Sequence, residues 1–185
     1  MSPRTRGLGM AVLASAALLA CSDVSQAPTA VLAPTSANHA ISPGDNLRQI
    51  NGAYSNGYCS INTGIAFDGT NLILSCWYSP VLDFVSPVDG HLVSSMTIPG
   101  YIGFGAIAYD GVQHKLWACA YGSESVVLID LATGTGETKF PAQGCIDGLA
   151  YDGSDQTIWA SGDVSSTVYH FQQTGALIGS FFVGG

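Results

Sequence analysis

Four cysteines, Cys59, Cys76, Cys119 and Cys145, and a scatter of acidic side chains are the residues of this chain with chemistry to offer. An even number of cysteines in an exported chain points to two disulfides, with three connectivities open. A zinc site would want a Cys-x-x-Cys pair, and the sequence has none. Glu124, Asp147 and Asp163 could supply oxygen ligands to Ca²⁺, although Asp and Ser also dominate ordinary polar loops. Apart from Ca²⁺ no cofactor is implied. His39, His91, His114 and His170 lie far apart along the chain, and no Gly-x-Ser-x-Gly elbow, His-Glu-x-x-His pair or phosphate-cradling loop is present. No catalytic residue is assigned on these grounds.

Charge narrows the partners. The chain has 5 basic and 13 acidic residues, and Arg4 and Arg6 lie in a segment that export removes or embeds. The remainder sets three basic residues against thirteen acidic ones, a net charge of −10 with histidines neutral. Such a surface repels phosphate backbones, and Arg48, Lys115 and Lys139 are too scattered to form a basic stripe, so nucleic acid is not an expected partner.

Residues 1–6 are basic and residues 7–20 are apolar and rich in Ala and Leu, the layout of a secretory signal and too short for a resident membrane span. The run ends in Leu18-Leu19-Ala20-Cys21, which resembles the lipobox of bacterial lipoproteins; the resemblance implies diacylation of Cys21 and a signal segment covering residues 1–21. An ordinary signal cut after Ala14-Ser15-Ala16 is the alternative. Either places the mature protein outside the cytoplasm, lipid-anchored at the envelope or secreted to the periplasm or beyond. Residues 22–45, rich in Pro, Ala, Ser and Thr, read as a flexible tether, so the membrane is a partner through the anchor only.

The elements that position the remaining residues come from an internal repeat. Gly64 to Gly69, Ala106 to Gly111 and Gly148 to Gly153 align, and their Asp-Gly pairs at Asp68, Asp110 and Asp152 are 42 residues apart. Leu116-Trp117-Ala118 and Ile158-Trp159-Ala160 repeat at the same distance, with Leu72-Ile73-Leu74 in that slot after a two-residue deletion. A third block follows, Val126 to Leu131 with Thr133-Gly134 and Val168 to Phe171 with Thr174-Gly175, matched in the first copy by Phe84-Val85 with Asp89-Gly90. At 47% hydrophobic and 10% charged with 23 glycines, the composition suits short strands and tight turns, and no apolar run has helical period. Each copy therefore reads as four antiparallel strands of a β-propeller blade, an all-β fold. After a lead-in at 46–62, blade 1 is expected over 63–104, blade 2 over 105–147 and blade 3 over 148–185. Asp68, Asp110 and Asp152 are expected at hairpin turns where glycine supplies positive φ. Ala66, Ala108 and Ala150 are expected on converging inner strands, and Trp117 and Trp159 between blades.

The pattern Gly-x-Ala-Tyr-Asp-Gly, Leu-Trp-Ala, Val-x-x-Asp-x-x-Thr-Gly resembles the NHL and YVTN-type propeller repeats of secreted bacterial proteins over residues 63–185. The resemblance implies the fold and leaves activity open, because such repeats serve lactonases, streptogramin-type lyases, glutaminyl cyclotransferases and plain binding proteins. Blade topology puts the ends of second strands and the starts of first strands on one rim. That predicts Cys59 bonded to Cys76 and Cys119 to Cys145, and a ligand rim carrying Asn62, Tyr78, Tyr121, Ser123, Glu124, Asp147, Ser161 and Asp163.

Three blades fall short of the four to eight usual in a propeller. A truncated product is the leading expectation, closure of two half-rings as a homodimer the next, and an open stack the last. The function expected is a membrane-tethered binding or scaffold module whose rim takes a protein, glycan or small ligand. The alternative is a fragment of a periplasmic gluconolactonase-like or streptogramin-lyase-like enzyme, disfavoured because the inner strands begin at Thr63, Gly105 and Gly148 rather than at acids or histidines.

Overall fold

The computed structural model describes residues 62–142, 144–162 and 165–184. These form three four-stranded antiparallel sheets, each an up-and-down blade with strands hydrogen-bonded in chain order. Blade 1 comprises β1 (Asn62–Phe67), β2 (Leu72–Cys76), β3 (Ser79–Val85) and β4 (Leu92–Thr97). Blade 2 comprises β5 (Phe104–Asp110), β6 (Lys115–Ala120), β7 (Ser125–Asp130) and β8 (Thr135–Pro141). Blade 3 comprises β9 (Gly148–Asp152), β10 (Thr157–Gly162), β11 (Ser165–Gln172) and β12 (Leu177–Phe182). This is the all-β architecture of an open three-bladed propeller. The signal segment with Cys21, the tether and Cys59 lie outside the described residues.

Aspartate, more than glycine, defines the first hairpin of each blade. Asp68 Oδ1 accepts from the backbone N–H of Thr70 and Asn71, Asp110 Oδ1 from Val112 and Gln113, and Asp152 Oδ1 from Ser154. These bonds tie the turn to its own side chain. Asp130 caps the β7–β8 turn in the same way through Ala132 and Thr133. Donation from the Ala132 N–H holds the Asp130 carboxyl below the usual carboxylate range, and the Ser154 hydroxyl does the same for Asp152.

The expected positive φ appears at Gly69 (φ 96°), but in blades 2 and 3 it moves to His114 (φ 56°) and Gln156 (φ 60°). There the aspartate is still paired in the ladder, Asp110 with Lys115 and Asp152 with Thr157. A four-residue turn then follows and closes in a left-handed residue. In blade 1 the ladder ends at Phe67 opposite Leu72, and the left-handed position falls on Gly69.

Blades stack face to face. Ile73, Leu82, Phe84 and Ile98 of blade 1 pack against Phe104, Ile107, Leu116, Val127 and Ile129 of blade 2. On its other face blade 2 sets Trp117, Val126, Leu128 and Phe140 against Ile158 and Ala160, flanked by Leu149, Tyr151 and Phe171. Because it is covered on both sides, β7 (SVVLID) is an almost unbroken apolar run with no polar alternation. Asp110 is fully buried at this second junction, where Gln113 Nε2 and Trp117 Nε1 donate to its Oδ2 at 3.0 and 3.4 Å. Burial, followed by the nearby Asp110 carboxylate, pushes the Tyr151 phenol of blade 3 upward.

Hydrogen bonds to backbone carbonyls join the blades where their inner strands converge. Ser75 Oγ donates to Gly105 O at 2.6 Å, Thr63 Oγ1 to Phe104 O at 3.0 Å, and Ala106 N to Ile146 O at 2.8 Å. A Cβ on Gly105 would lie 2.2 Å from Ile146 O, and one on Gly64 would lie 2.5 Å from Gly105 O. Glycine is what lets three blades converge at this rim.

Candidate binding site

The rim formed by the ends of second strands and the starts of first strands holds a hollow of about 320 Å³. Its walls come from blade 1, blade 2 and the segment leading into blade 3. Trp77 follows β2, Tyr121, Gly122 and Glu124 form the β6–β7 turn, and Ile146 and Asp147 precede β9. Backbone convergence at Gly105 fixes these three turns relative to one another.

A disulfide braces the same place. Cys119, near the end of β6, is bonded to Cys145, two residues before Asp147, with Cα atoms 5.7 Å apart and both side chains fully buried. This pairing is the one expected from blade topology, and it suits an oxidising environment outside the cytoplasm. Cys76 is also disulfide-bonded.

Aromatic rings make one wall. Trp77 and Tyr121 occupy equivalent positions, each one residue past the end of its second strand, and their rings stack at 6.1 Å between centroids and 19° between planes. Tyr78 meets Tyr121 edge-on at 5.1 Å and 77°. Hydrogen bonding with Tyr78 raises the Tyr121 phenol above the ordinary tyrosine range. The Nε1–H of Trp77 is buried and finds no acceptor among the described residues.

Carboxylates make the other wall. Glu124 stands in a left-handed backbone conformation (φ 45°) and its Oε2 accepts from the Gly144 N–H at 3.3 Å, a bond that reaches from the β6–β7 turn to the segment carrying Cys145. Asp147 lines the hollow beside it. Among the described residues no three His, Cys, Asp or Glu side chains gather as a metal site, and Asp163, the third acid expected in such a site, lies outside them.

The other rim residues do not join this hollow. Asn62 is exposed at the start of β1 opposite Cys76, and Ser123 is exposed in the β6–β7 turn, where its carbonyl accepts from Ser125 Oγ. Ser161 lines a separate shallow hollow on blade 3 with Trp159 and Val168. The described histidines are dispersed. His91 bonds Asp89 at 2.6 Å, His114 bonds Tyr109 at 3.0 Å, and His170 lies flat on Trp159 with ring centroids 3.7 Å apart.

A larger hollow of about 520 Å³ opens at the opposite end between blades 1 and 2. Asp68, capping its own turn, and His114, bonded to Tyr109, are already engaged there. Trp77, Gly122 and Ile146 are the residues of this hollow that reasoning from sequence missed. The repeat held the signal for Trp77, because the deletion in blade 1 aligns it with Tyr121.

No family model matches the chain, and no curated protein matches it in sequence. Solved structures do. The chain is similar to the hydrazine synthase of Kuenenia stuttgartiensis (TM-score 0.52, 14% identity, 74% of this chain and 40% of that one). It is similar to a chain of a nidogen/laminin complex (TM-score 0.53, 12% identity, 66% and 48%) and to the glutaminyl cyclase of Myxococcus xanthus (TM-score 0.51, 18% identity, 66% and 51%). The chain thus spans about half or less of these structures. At these identities the likeness shows the fold alone, and that fold is the β-propeller.

Proposed function

We propose that this chain is an exported propeller module of the NHL/YVTN type, anchored through lipid on Cys21, that binds a ligand in the rim hollow. The observation that carries the reading is the hollow itself, walled by turns of blades 1 and 2 and the segment leading into blade 3 and braced by the Cys119–Cys145 bond. Ligand sites form where a rigid scaffold brings loops together, and here apolar rings and a few polar groups line one concavity. The tether gives such a module reach from the membrane, and the acidic surface keeps it off anionic polymers.

A panel of glycans and small molecules, titrated against the full chain and its Tyr121→Ala variant with tryptophan fluorescence as the readout, tests the binding role. A ligand that quenches the native chain and loses at least tenfold in affinity with Tyr121→Ala supports it. A ligand indifferent to that change places binding elsewhere. Membrane fractionation of a Cys21→Ala variant tests the anchor, with release from the membrane the expected result.

A further inference from the structure

We infer that the outer face of blade 1 is a docking surface for the chain's own lead-in, residues 46–61, held by an ion pair between Arg48 and Asp83 and by a Cys59–Cys76 disulfide. The outer face is the one turned away from blade 2. Ile73 and Phe84, paired across β2 and β3, pack into the junction with blade 2, so Leu74 and Asp83, the next pair along, point the other way. Ile65 pairs with Leu74 on that same face and is 62% exposed, and no described strand lies over it. Yet Asp83 is 2% exposed and Val85, two residues on, 5%. A bare sheet face does not hide a carboxylate to that degree, so a segment of chain lies across β3 while Ile65 and Phe67 on β1 stay open beside it.

Charge selects the segment. Burying a carboxylate is costly unless an opposite charge and hydrogen bonds offset it. Asp110, at the end of β5, accepts from N–H groups of its own turn, but Asp83 stands in mid-strand, where neighbouring N–H groups serve the ladder. Ser95 Oγ donates to Asp83 at 2.6 Å, and Asp83 is engaged beyond that bond. Lys115 is paired with Asp130 and Lys139 with Glu137, and Arg4 and Arg6 fall in the proposed signal. Of the five lysines and arginines, Arg48 is the one that remains.

Covalent geometry leads the same segment to the same blade. Cys76 is disulfide-bonded and buried, and Cys119 and Cys145 are bonded to each other, so the partner of Cys76 is Cys59 or Cys21. Lipid on Cys21 leaves Cys59, three residues before β1. From Ser79, opposite Cys76, to Asp83 is four residues of strand, roughly 13 Å. The chain from Cys59 back to Arg48 is eleven residues and spans up to about 36 Å, so it reaches Asp83 with length to spare.

Hydrogen exchange of the full chain, labelled with its disulfides intact and read by mass spectrometry, compares residues 46–52 with residues 22–45 as an internal reference. Exchange about tenfold slower over 46–52 is expected, lost in Arg48→Met and largely kept in Arg48→Lys. Urea midpoints of Arg48→Met, Asp83→Leu and the double variant then isolate the pair. Each single change is expected to lower the midpoint, and the double variant to recover about half or more of the loss, because it leaves no charge buried alone. Asp83→Asn, close in shape, takes the place of Asp83→Leu if that variant does not fold. Residues 46–52 exchanging as fast as the reference overturn the docking. Midpoint losses that simply add in the double variant overturn the Arg48–Asp83 pair. Protection that fades when the chain is diluted overturns the lead-in as occupant in favour of a second copy. None of these outcomes bears on the rim hollow, whose ligand panel is read separately.

Discussion

Gly105 is a position of this fold that admits no side chain. It stands where inner strands come into backbone contact, and a methyl group there would overlap the Ile146 carbonyl at 2.2 Å. Backbone cannot step aside as the tip of a long side chain can. Gly105→Ala is therefore expected to cost about 1–3 kcal/mol, read as a lower urea midpoint with an unchanged slope. Gly111→Ala is the matched control: its nearest neighbour would be Tyr109 Cε1 at 3.9 Å, so a change within about 0.5 kcal/mol is expected. The repeated Asp-Gly motif makes Gly111 look the more important of the two in sequence. The structure reverses that order, because Asp110 caps the turn with its side chain and His114, not Gly111, takes the left-handed position.

At the scale of the element, the Cys119–Cys145 bond links the second strand of one blade to the approach of the next and stands beside the hollow. Replacing both cysteines by alanine is expected to lower stability by about 2–4 kcal/mol. It is also expected to loosen the Glu124–Gly144 contact, so ligand affinity at the rim falls together with the melting temperature. An affinity unchanged in the double variant would show that the two turns hold their places without the bridge. The strand pattern and this pairing were legible in the sequence, because a repeat of 42 residues, read with blade topology, fixes which strand ends share a rim. The site was only half legible. Tyr78, Tyr121, Glu124 and Asp147 were found by counting polar and aromatic residues at strand ends. Trp77 was not, since a tryptophan in a propeller reads first as filling between blades. Trp117 fits that account, fully buried, whereas Trp77 stands at the rim with its N–H unpartnered among the described residues.

At the scale of the whole molecule, the repeat shows how its two end faces differ from the junctions between blades. Ala108 and Trp117 look toward blade 3 and are buried there; Ala150 and Trp159 occupy the same positions one blade on, and Ala150 is exposed while Trp159 is half-buried. Phe181, edge-on to Trp159, is 51% exposed. At the other end Ile65 and Phe67 are 62% and 52% exposed, whereas Ile107, the equivalent of Ile65, is 4% exposed against blade 1. One end thus offers the kind of face that the other end buries. Were a second copy to present its blade 1 to blade 3 of the first, the same contact on the far side would close a two-fold ring of six blades, within the usual propeller range. Light scattering on the full chain is expected to give twice the chain mass. Trp159→Asp, which puts a charge on a face that closure would bury, is expected to return the single-chain mass with the strand signal in circular dichroism unchanged. A native chain that stays at the single mass at micromolar concentration would show that its apolar end faces are not matched to each other, and their partner would then have to be sought in other blades.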